Sequence, residues 1–187
     1  MIAVVFVKES ERLPDKHNLM LGNRSVLEHA VSRILESRAF DQVIVFSRKE
    51  DISVQGSLTA YDESEGVLID SIFLCLKQFH EFFAFGGDMP FLDPKVIRTM
   101  IRHYKGTPLC AFSSDGTLQP LHAIYNGSVL NDLTEAIKAG QRSVYGFISS
   151  SRFSLFRVDS PTDEIFFSIN TGADYDEALR RMKPSTG

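Results

Sequence analysis

The stretch Ile2-Ala-Val-Val-Phe-Val7 is an unbroken apolar run, rich in β-branched residues. A short run of this kind, without polar alternation, is typical of a strand buried on both faces of a parallel sheet. After a polar stretch, Ser25-Val-Leu-Glu28 matches a capping box, which predicts a helix that runs to about Arg38. A second buried strand is predicted over Gln42–Phe46. This order of strand, helix and strand predicts a βαβ unit.

The same alternation continues along the rest of the chain. Further strands are predicted over Leu58–Tyr61, Phe82–Phe85, Leu109–Phe112, Leu121–Tyr125, Phe153–Val158 and Ile165–Ile169. Further helices are predicted over Val67–Phe79, Asp93–Tyr104, Ser128–Ala139 and Tyr175–Met182. We therefore expect an α/β protein with a Rossmann-like, three-layer α/β/α architecture and a mostly parallel, mixed sheet. We expect a single domain over residues 1–187, with a frayed tail at 183–187.

Composition excludes several classes of protein. The chain has 187 residues and a formal net charge of −4, which disfavours a dedicated nucleic-acid binder. No apolar run approaches the ~18 residues that a membrane helix needs. The two cysteines, Cys75 and Cys110, lie among apolar neighbours and are expected to be reduced core residues of a cytoplasmic protein.

Three polar segments lie directly after predicted strands: Lys8–Lys16, Asp62–Gly66 and Gly86–Pro90. In an open α/β sheet, ligands bind in the crevice beyond the carboxyl ends of the strands. We therefore expect these three segments to line one binding site.

The first of these segments and the residue after it carry several cations: Lys8, Arg12, Lys16 and His17. Cationic side chains on the first loop of such a fold could gather phosphate groups, to which a guanidinium offers two parallel contacts. Two glutamates are interleaved with these cations, so the segment could instead be an ordinary solvated loop.

The segment Phe82–Pro90 delivers one carboxylate, that of Asp88, to the edge of the predicted sheet. The two preceding glycines would allow a ligand to come close to the backbone. Mg²⁺ is usually held by one or two carboxylates together with substrate phosphates, which suits this position. Asp88 could alternatively serve as a turn or helix-cap residue before Met89-Pro90.

Two further polar segments are weaker candidates for a site. Gln119-Pro-Leu-His122 places polar groups just before and within a strand, but a lone histidine there is more often a structural residue. Asn170-Thr171 lies before a predicted helix, where a turn and a helix cap are the simplest interpretation.

Three stretches of the chain, in the same order along the sequence, resemble the MobA-like nucleotidyltransferases. They are Phe85-Gly-Gly-Asp-Met-Pro-Phe-Leu92, Gln119-Pro-Leu-His-Ala-Ile-Tyr125, and Phe166-Phe-Ser-Ile-Asn-Thr171 with the following Asp174. The loop from Asp62 to Leu68 is also similar to the family's base-binding loop. The best-known members of this family are the molybdenum cofactor guanylyltransferases.

The resemblance implies the nucleotide-diphospho-sugar transferase type of fold and a Mg²⁺-dependent transfer of a nucleoside monophosphate, with release of pyrophosphate. GTP is the favoured donor and molybdopterin the favoured acceptor. The resemblance assigns catalysis to Arg12, Lys16 and Asp88, and the metal to Asp88. It assigns nucleotide binding to Lys8, Ser10, Arg12, Lys16, Asp62 and Gly66, and acceptor binding to Gln119, Pro120, His122 and Asn170.

The first loop departs from the family pattern. Lys8-Glu9 stands where the family carries a glycine pair, and Ser10-Glu-Arg-Leu-Pro-Asp-Lys16 is more similar to the CMP-sugar-acid synthetases. Two alternatives therefore stay open beside the guanylyltransferase. One is a nucleotidyltransferase with another base or acceptor, such as a CMP-sugar-acid synthetase. The other is a non-catalytic relative that binds a nucleotide or a partner.

Overall fold

The computed structural model describes residues 1–49, 51–64, 66–158 and 164–183. The strands are β1 (Ile2–Val7), β2 (Met20–Leu21), β3 (Arg24–Ser25), β4 (Gln42–Ser47), β5 (Leu58–Tyr61), β6 (Glu81–Gly86), β7 (Leu109–Phe112), β8 (Leu118–Asn126) and β9 (Ser154–Arg157). The helices are α1 (Val26–Glu36), α2 (Leu68–Phe79), α3 (Pro94–His103), α4 (Leu130–Lys138), α5 (Val144–Ser150) and α6 (Gly172–Met182). Apart from Lys183, the predicted tail lies outside the described residues.

Within the described ranges, seven strands form one mixed sheet in the order β5-β4-β1-β6-β8-β7-β9. The strands β5, β4, β1 and β6 are parallel to one another, whereas β8 runs antiparallel to β6 and β7. This confirms the predicted α/β class and the mostly parallel, mixed sheet. The carboxyl ends of β1, β4, β5 and β6 meet at one edge.

Helices cover both faces of the sheet, because successive side chains of a strand point to opposite faces. Val5 and Val7 of β1 pack with α1 and α3, whereas Val4 and Phe6 pack with α2, α4 and α5. All four side chains are at most 4% exposed. The apolar run at the start of the chain is therefore buried on both faces, as its composition predicts.

The helix boundaries follow local signals in the sequence. The Ser25 hydroxyl accepts a hydrogen bond from the Glu28 backbone amide, and the Glu28 carboxylate accepts one from the Ser25 amide. The Asp93 carboxylate accepts from the Lys95 amide at the start of α3, where Pro94 is the first helical residue. Both predicted helix starts are confirmed.

The predicted strand over Ile165–Ile169 is wrong. A 3-10 turn forms at Glu164–Phe166, and the chain then passes unpaired to α6. The Ile169 amide donates to the carbonyl oxygen of Asp88, and its fully buried side chain packs against Leu21. The apolar residues of this segment therefore pack it over the loop after β6 and against Leu21, and they do not form a strand.

Helix α5 and the short β2–β3 hairpin were not predicted from the sequence. Helix α5 is short and contains Gly146 and two serines, which weaken the helical pattern. Its buried face, formed by Val144, Phe147 and Ile148, packs against the sheet.

No helix in the described part of the chain is long and apolar enough to cross a bilayer. Cys75 and Cys110 are free and buried.

Candidate functional site

A cleft of about 470 Å³ opens at the carboxyl ends of β1, β4 and β6. Its walls come from residues 6–10, 16–17, 47–49 and 66–68, together with Asp88, Leu121 and Asn170. The parallel order of these strands brings the loops that follow them to the same edge of the sheet. This is the position at which the sequence predicts a binding site.

Lys16, Asp88 and Asn170 form a polar cluster that lines the cleft. The Lys16 ammonium nitrogen lies 2.5 Å from the Asp88 carboxylate and 2.8 Å from the Asn170 side-chain oxygen. The Lys16 side chain is 7% exposed and that of Asp88 is 17% exposed. Two oxygen atoms from distant parts of the chain therefore converge on one cation, and the ion pair leaves the cluster with no net charge.

Each member of this cluster is held by its own element. Lys16 begins a 3-10 turn over Lys16–Asn18, and Asp88 follows β6, which the Gly87 amide extends by donating to the Phe6 carbonyl. The Asn170 backbone amide donates to the carboxylate of Asp174, which also caps α6. The backbone of each of these residues is therefore held by hydrogen bonds that do not involve the side chains of the cluster.

Gly87 permits the close approach of β6 to the first loop. A Cβ atom there would lie 3.0–3.1 Å from the side chains of Val7, His17 and Leu27.

His17 is 6% exposed, and burial lowers its pKa to about 4 against the opposing attraction of the Asp88 carboxylate. The His17 imidazole is therefore neutral at pH 7 and adds no charge to the cleft.

Lys8 forms an ion pair with Asp62. Its ammonium group donates to the Asp62 carboxylate at 2.8 Å and to the Ser64 hydroxyl at 3.3 Å. Asp62 is 1% exposed and also accepts from the Ser71 hydroxyl and the Ser64 amide. Burial by itself would raise the pKa of Asp62, but the hydrogen bonds from Lys8, Ser64 and Ser71 hold it below its ordinary value.

We expect Asp62→Asn to lower the free energy of unfolding by about 2 kcal/mol at pH 7, because hydrogen bonds to a buried charge are lost. The folded-state pKa of Asp62 is depressed, so its stabilisation is present above the ordinary pKa of about 4 and disappears as pH falls through the folded value. Urea unfolding at pH 7 and pH 3 should show the difference from wild type shrinking at the lower pH.

The matched control for this prediction is Asp41→Asn. Asp41 is an exposed carboxylate that pairs with the amino terminus at 2.6 Å. Its substitution should change stability much less than that of Asp62. Equal stability of Asp62→Asn and wild type at pH 7 would show that the buried pair does not stabilise the fold.

The loop after β4 also lines the cleft, although the sequence analysis did not single it out. The Arg48 guanidinium donates to the Gly66 carbonyl oxygen at 2.8 Å, and Lys49 pairs with Glu9 at 3.0 Å and with Asp15. The sequence did contain a signal for this loop, because Arg48 and Lys49 come directly after a predicted buried strand, where polar residues are expected to line the site. His17 also lines the cleft, although it was not among the assigned site residues.

Gly66 lies where the loop enters α2. A Cβ atom at this position would lie 1.8 Å from a carboxylate oxygen of Asp70, the residue that caps the Val67 amide. A side chain at this position would therefore displace the helix cap. Ser10 and Gly66 both line the cleft. Asp62 does not line it, but it pairs with the cleft residue Lys8.

The remaining residues assigned from the resemblance lie outside the cluster. Arg12 is exposed and does not line the cleft. Gln119 lines a separate, shallower pocket with Ser113 and Arg181, and Pro120 precedes the cleft residue Leu121 on β8. Their roles therefore stay predictions.

His122 is completely buried. The rings of Phe83, Phe85 and Phe166 surround it at 5.3–5.5 Å between centroids, and neither of its ring nitrogens has a hydrogen-bond partner among the described residues. Burial lowers the pKa of His122 to about 3, so the ring is neutral at pH 7. Its predicted contact with an acceptor would require the surrounding aromatic side chains to move.

The chain also matches a known protein family in sequence. A model of the MobA-like NTP transferase domain matches residues 9–153, which include the first loop and the Asp88 segment. The chain belongs to the MobA-like NTP transferase family. It is therefore a nucleotidyltransferase, and the resemblance drawn from the sequence is confirmed.

Relatives of the MobA-like family extend the match to nearly the whole chain. A Thermococcus sibiricus protein named probable molybdenum cofactor guanylyltransferase is 24% identical over 98% of this chain and 97% of its own length. The crystal structure of molybdopterin-guanine dinucleotide biosynthesis protein A from Archaeoglobus fulgidus superposes with a TM-score of 0.77, at 22% identity over 97% of this chain and 98% of that one.

A third relative was crystallised with a metal. The complex of Rv0371c from Mycobacterium tuberculosis with manganese superposes with a TM-score of 0.69, at 18% identity over 96% of this chain and 97% of that one. At these identities, the two structural likenesses establish a shared fold.

Proposed function

We propose that this nucleotidyltransferase uses Mg²⁺ to transfer GMP from GTP to molybdopterin, with release of pyrophosphate. The observation that carries the proposal is the cluster of Lys16, Asp88 and Asn170 in the cleft at the carboxyl edge of the sheet. The name of the Thermococcus relative supports guanine as the base and the molybdenum cofactor as the acceptor class.

The oxygen atoms of this cluster suit a hard divalent cation. Carboxylate and amide oxygens from Asp88 and Asn170 already converge on the positive charge of Lys16. Among the described residues, no group of three or more acidic, histidine or cysteine side chains could hold a metal by itself. Substrate phosphates would therefore supply the other ligands, as is usual for Mg²⁺. The manganese complex of the Mycobacterium relative is consistent with this interpretation.

Nucleotidyl transfer to a phosphate acceptor requires positioning and neutralisation of charge more than covalent catalysis. An oxygen atom of the acceptor phosphate attacks the α-phosphorus of GTP. The bond between the α-phosphorus and the oxygen that links it to the β-phosphorus breaks, and pyrophosphate leaves. Asp88 and Asn170 would hold Mg²⁺, which would supply positive charge to offset that of the phosphates. The Lys16 ammonium group, released from Asp88, would donate to a phosphate oxygen and offset the charge that develops there.

The other assigned residues would act around this centre. Ser10 and Gly66 line the cleft and would contact the nucleotide, while the Lys8–Asp62 pair would hold the loop that leads to Gly66. We retain triphosphate binding by Arg12 as a proposal. Gln119 and Pro120 would border the acceptor on the β8 side, and His122 would join them on movement of the aromatic side chains around it.

The test measures pyrophosphate release with Mg²⁺ and each of GTP, CTP, ATP and UTP, with and without molybdopterin. We expect release from GTP that depends on both Mg²⁺ and molybdopterin. A preference for CTP with a sugar-acid acceptor would instead favour the alternative suggested by Ser10–Lys16. Nucleotide binding without turnover on any acceptor would contradict the proposal.

A further inference from the structure

The positive charges that line the cleft are nearly all neutralised by the protein itself. Among the residues that the structure describes, four cationic side chains line it: Lys8, Lys16, Arg48 and Lys49. Each of the three lysines has a carboxylate partner, and these pairs are Lys8–Asp62 at 2.8 Å, Lys16–Asp88 at 2.5 Å, Lys49–Glu9 at 3.0 Å and Lys49–Asp15. An incoming polyphosphate would therefore compete with carboxylates for every lysine.

Arg48 is different. Its guanidinium donates to the neutral carbonyl oxygen of Gly66 at 2.8 Å, and it has no ion pair with any carboxylate of the described residues. A guanidinium carries five N–H donors, and this bond leaves most of them available. The bond to Gly66 also restrains an otherwise exposed side chain beside the cleft. Arg48 therefore presents a partly fixed orientation and a charge that no carboxylate in the described part of the chain compensates.

The position of Arg48 suits the same ligand as the Lys16 cluster. Arg48 follows β4, and Asp88 follows β6, with β1 between the two strands. Neighbouring strands are about 4.8 Å apart, so the ends of β4 and β6 are about 10 Å apart. A nucleotide whose phosphates bind at Lys16 and Asp88 therefore lies within reach of a long side chain at position 48.

The first loop does not supply net positive charge to the cleft. Glu9 lines the cleft as well, and Lys8 is already paired with Asp62. We propose that Arg48 binds a phosphate group of the nucleoside triphosphate, and so adds from the loop after β4 an anion contact that does not have to be released from a carboxylate of the described residues. This inference rests on the proposed nucleotidyltransferase function.

The test compares Arg48→Gln and Arg48→Lys with wild type by the dissociation constants of Mg²⁺ complexes of GTP, ATP, CTP and UTP, and of guanosine. We expect Arg48→Gln to raise the dissociation constant of every nucleoside triphosphate that binds. The increase should be about tenfold for each of them, as loss of a charge-assisted hydrogen bond predicts. Guanosine binding should not change. Arg48→Lys should retain part of the affinity, because the charge remains while the paired donors are lost.

Arg33→Gln is the matched control, since Arg33 is a half-exposed arginine on α1 that pairs with Glu36. It should bind every nucleotide like wild type. Unchanged affinity in Arg48→Gln, or a loss confined to GTP that points to a base contact, would overturn the assignment of Arg48 and leave the proposed function standing. Failure of the wild-type protein to bind any nucleoside triphosphate would overturn the proposed function itself.

Discussion

Replacing Asp88 with asparagine should lower kcat for pyrophosphate release by about a thousandfold. The carboxylate is the acidic side chain of the Lys16 cluster, and its charge is the one that a divalent cation would need there. Charge stabilisation by a bound metal contributes several kcal/mol to a transition state, and each 1.36 kcal/mol corresponds to a factor of ten in rate. The measurement is steady-state turnover across a range of Mg²⁺ concentrations.

Asp93→Asn is the control for this substitution. Asp93 lies on the same loop and caps α3 by accepting from the Lys95 amide, a role that asparagine fills equally well. It should therefore retain turnover and Mg²⁺ dependence. Thermal unfolding of both variants would show whether the loop still folds. Turnover of Asp88→Asn close to that of wild type would exclude Asp88 from the metal site.

Replacing Lys16 with methionine should lower kcat by about a hundredfold to a thousandfold, the range found when one donor to a developing anion is removed. Methionine fills similar space, so the buried stem of the side chain is preserved. The same substitution should strengthen the stabilisation of the protein by Mg²⁺, although it lowers turnover. Without the ammonium group, Asp88 and Asn170 have no cation between them, and Mg²⁺ alone should raise the melting temperature of the variant more than that of wild type.

Lys95→Met removes a lysine from α3 outside the cleft and should leave turnover and the response to Mg²⁺ unchanged. Two results would contradict the role of Lys16. One is turnover of Lys16→Met within threefold of wild type. The other is a Mg²⁺ response identical to that of wild type, since it would mean that the ammonium group does not occupy the position of a cation.

The sequence indicated most of the sheet and the edge at which the cleft lies. The apolar runs at Ile2–Val7 and Gln42–Phe46, and the capping box at Ser25, depend on interactions within a few residues. Such local patterns can be interpreted without knowledge of the partners. The strand predicted over Ile165–Ile169 is wrong because the same apolar pattern also suits a segment that packs as a loop, and tertiary contacts decide between the two.

Arg48 was missed even though it directly follows a predicted strand. Arg48 lies outside the three polar segments predicted to line the site, and it belongs to none of the stretches that resemble the family. The short distance between its guanidinium and Gly66 joins two loops that are 18 positions apart in the chain. His17 was noted as a cation, but burial makes it neutral.

The sequence by itself determined which residues reach the carboxyl edge of the sheet, because strand ends and helix caps are set by local periodicity and backbone chemistry. The tertiary structure alone decided which charges are paired there. Lys8 pairs with Asp62, Lys16 pairs with Asp88, and Arg48 bonds to the Gly66 carbonyl oxygen without an ion pair to any carboxylate that the structure describes. These contacts depend on strand order and loop approach across 54 and 72 positions of chain, which no local pattern encodes.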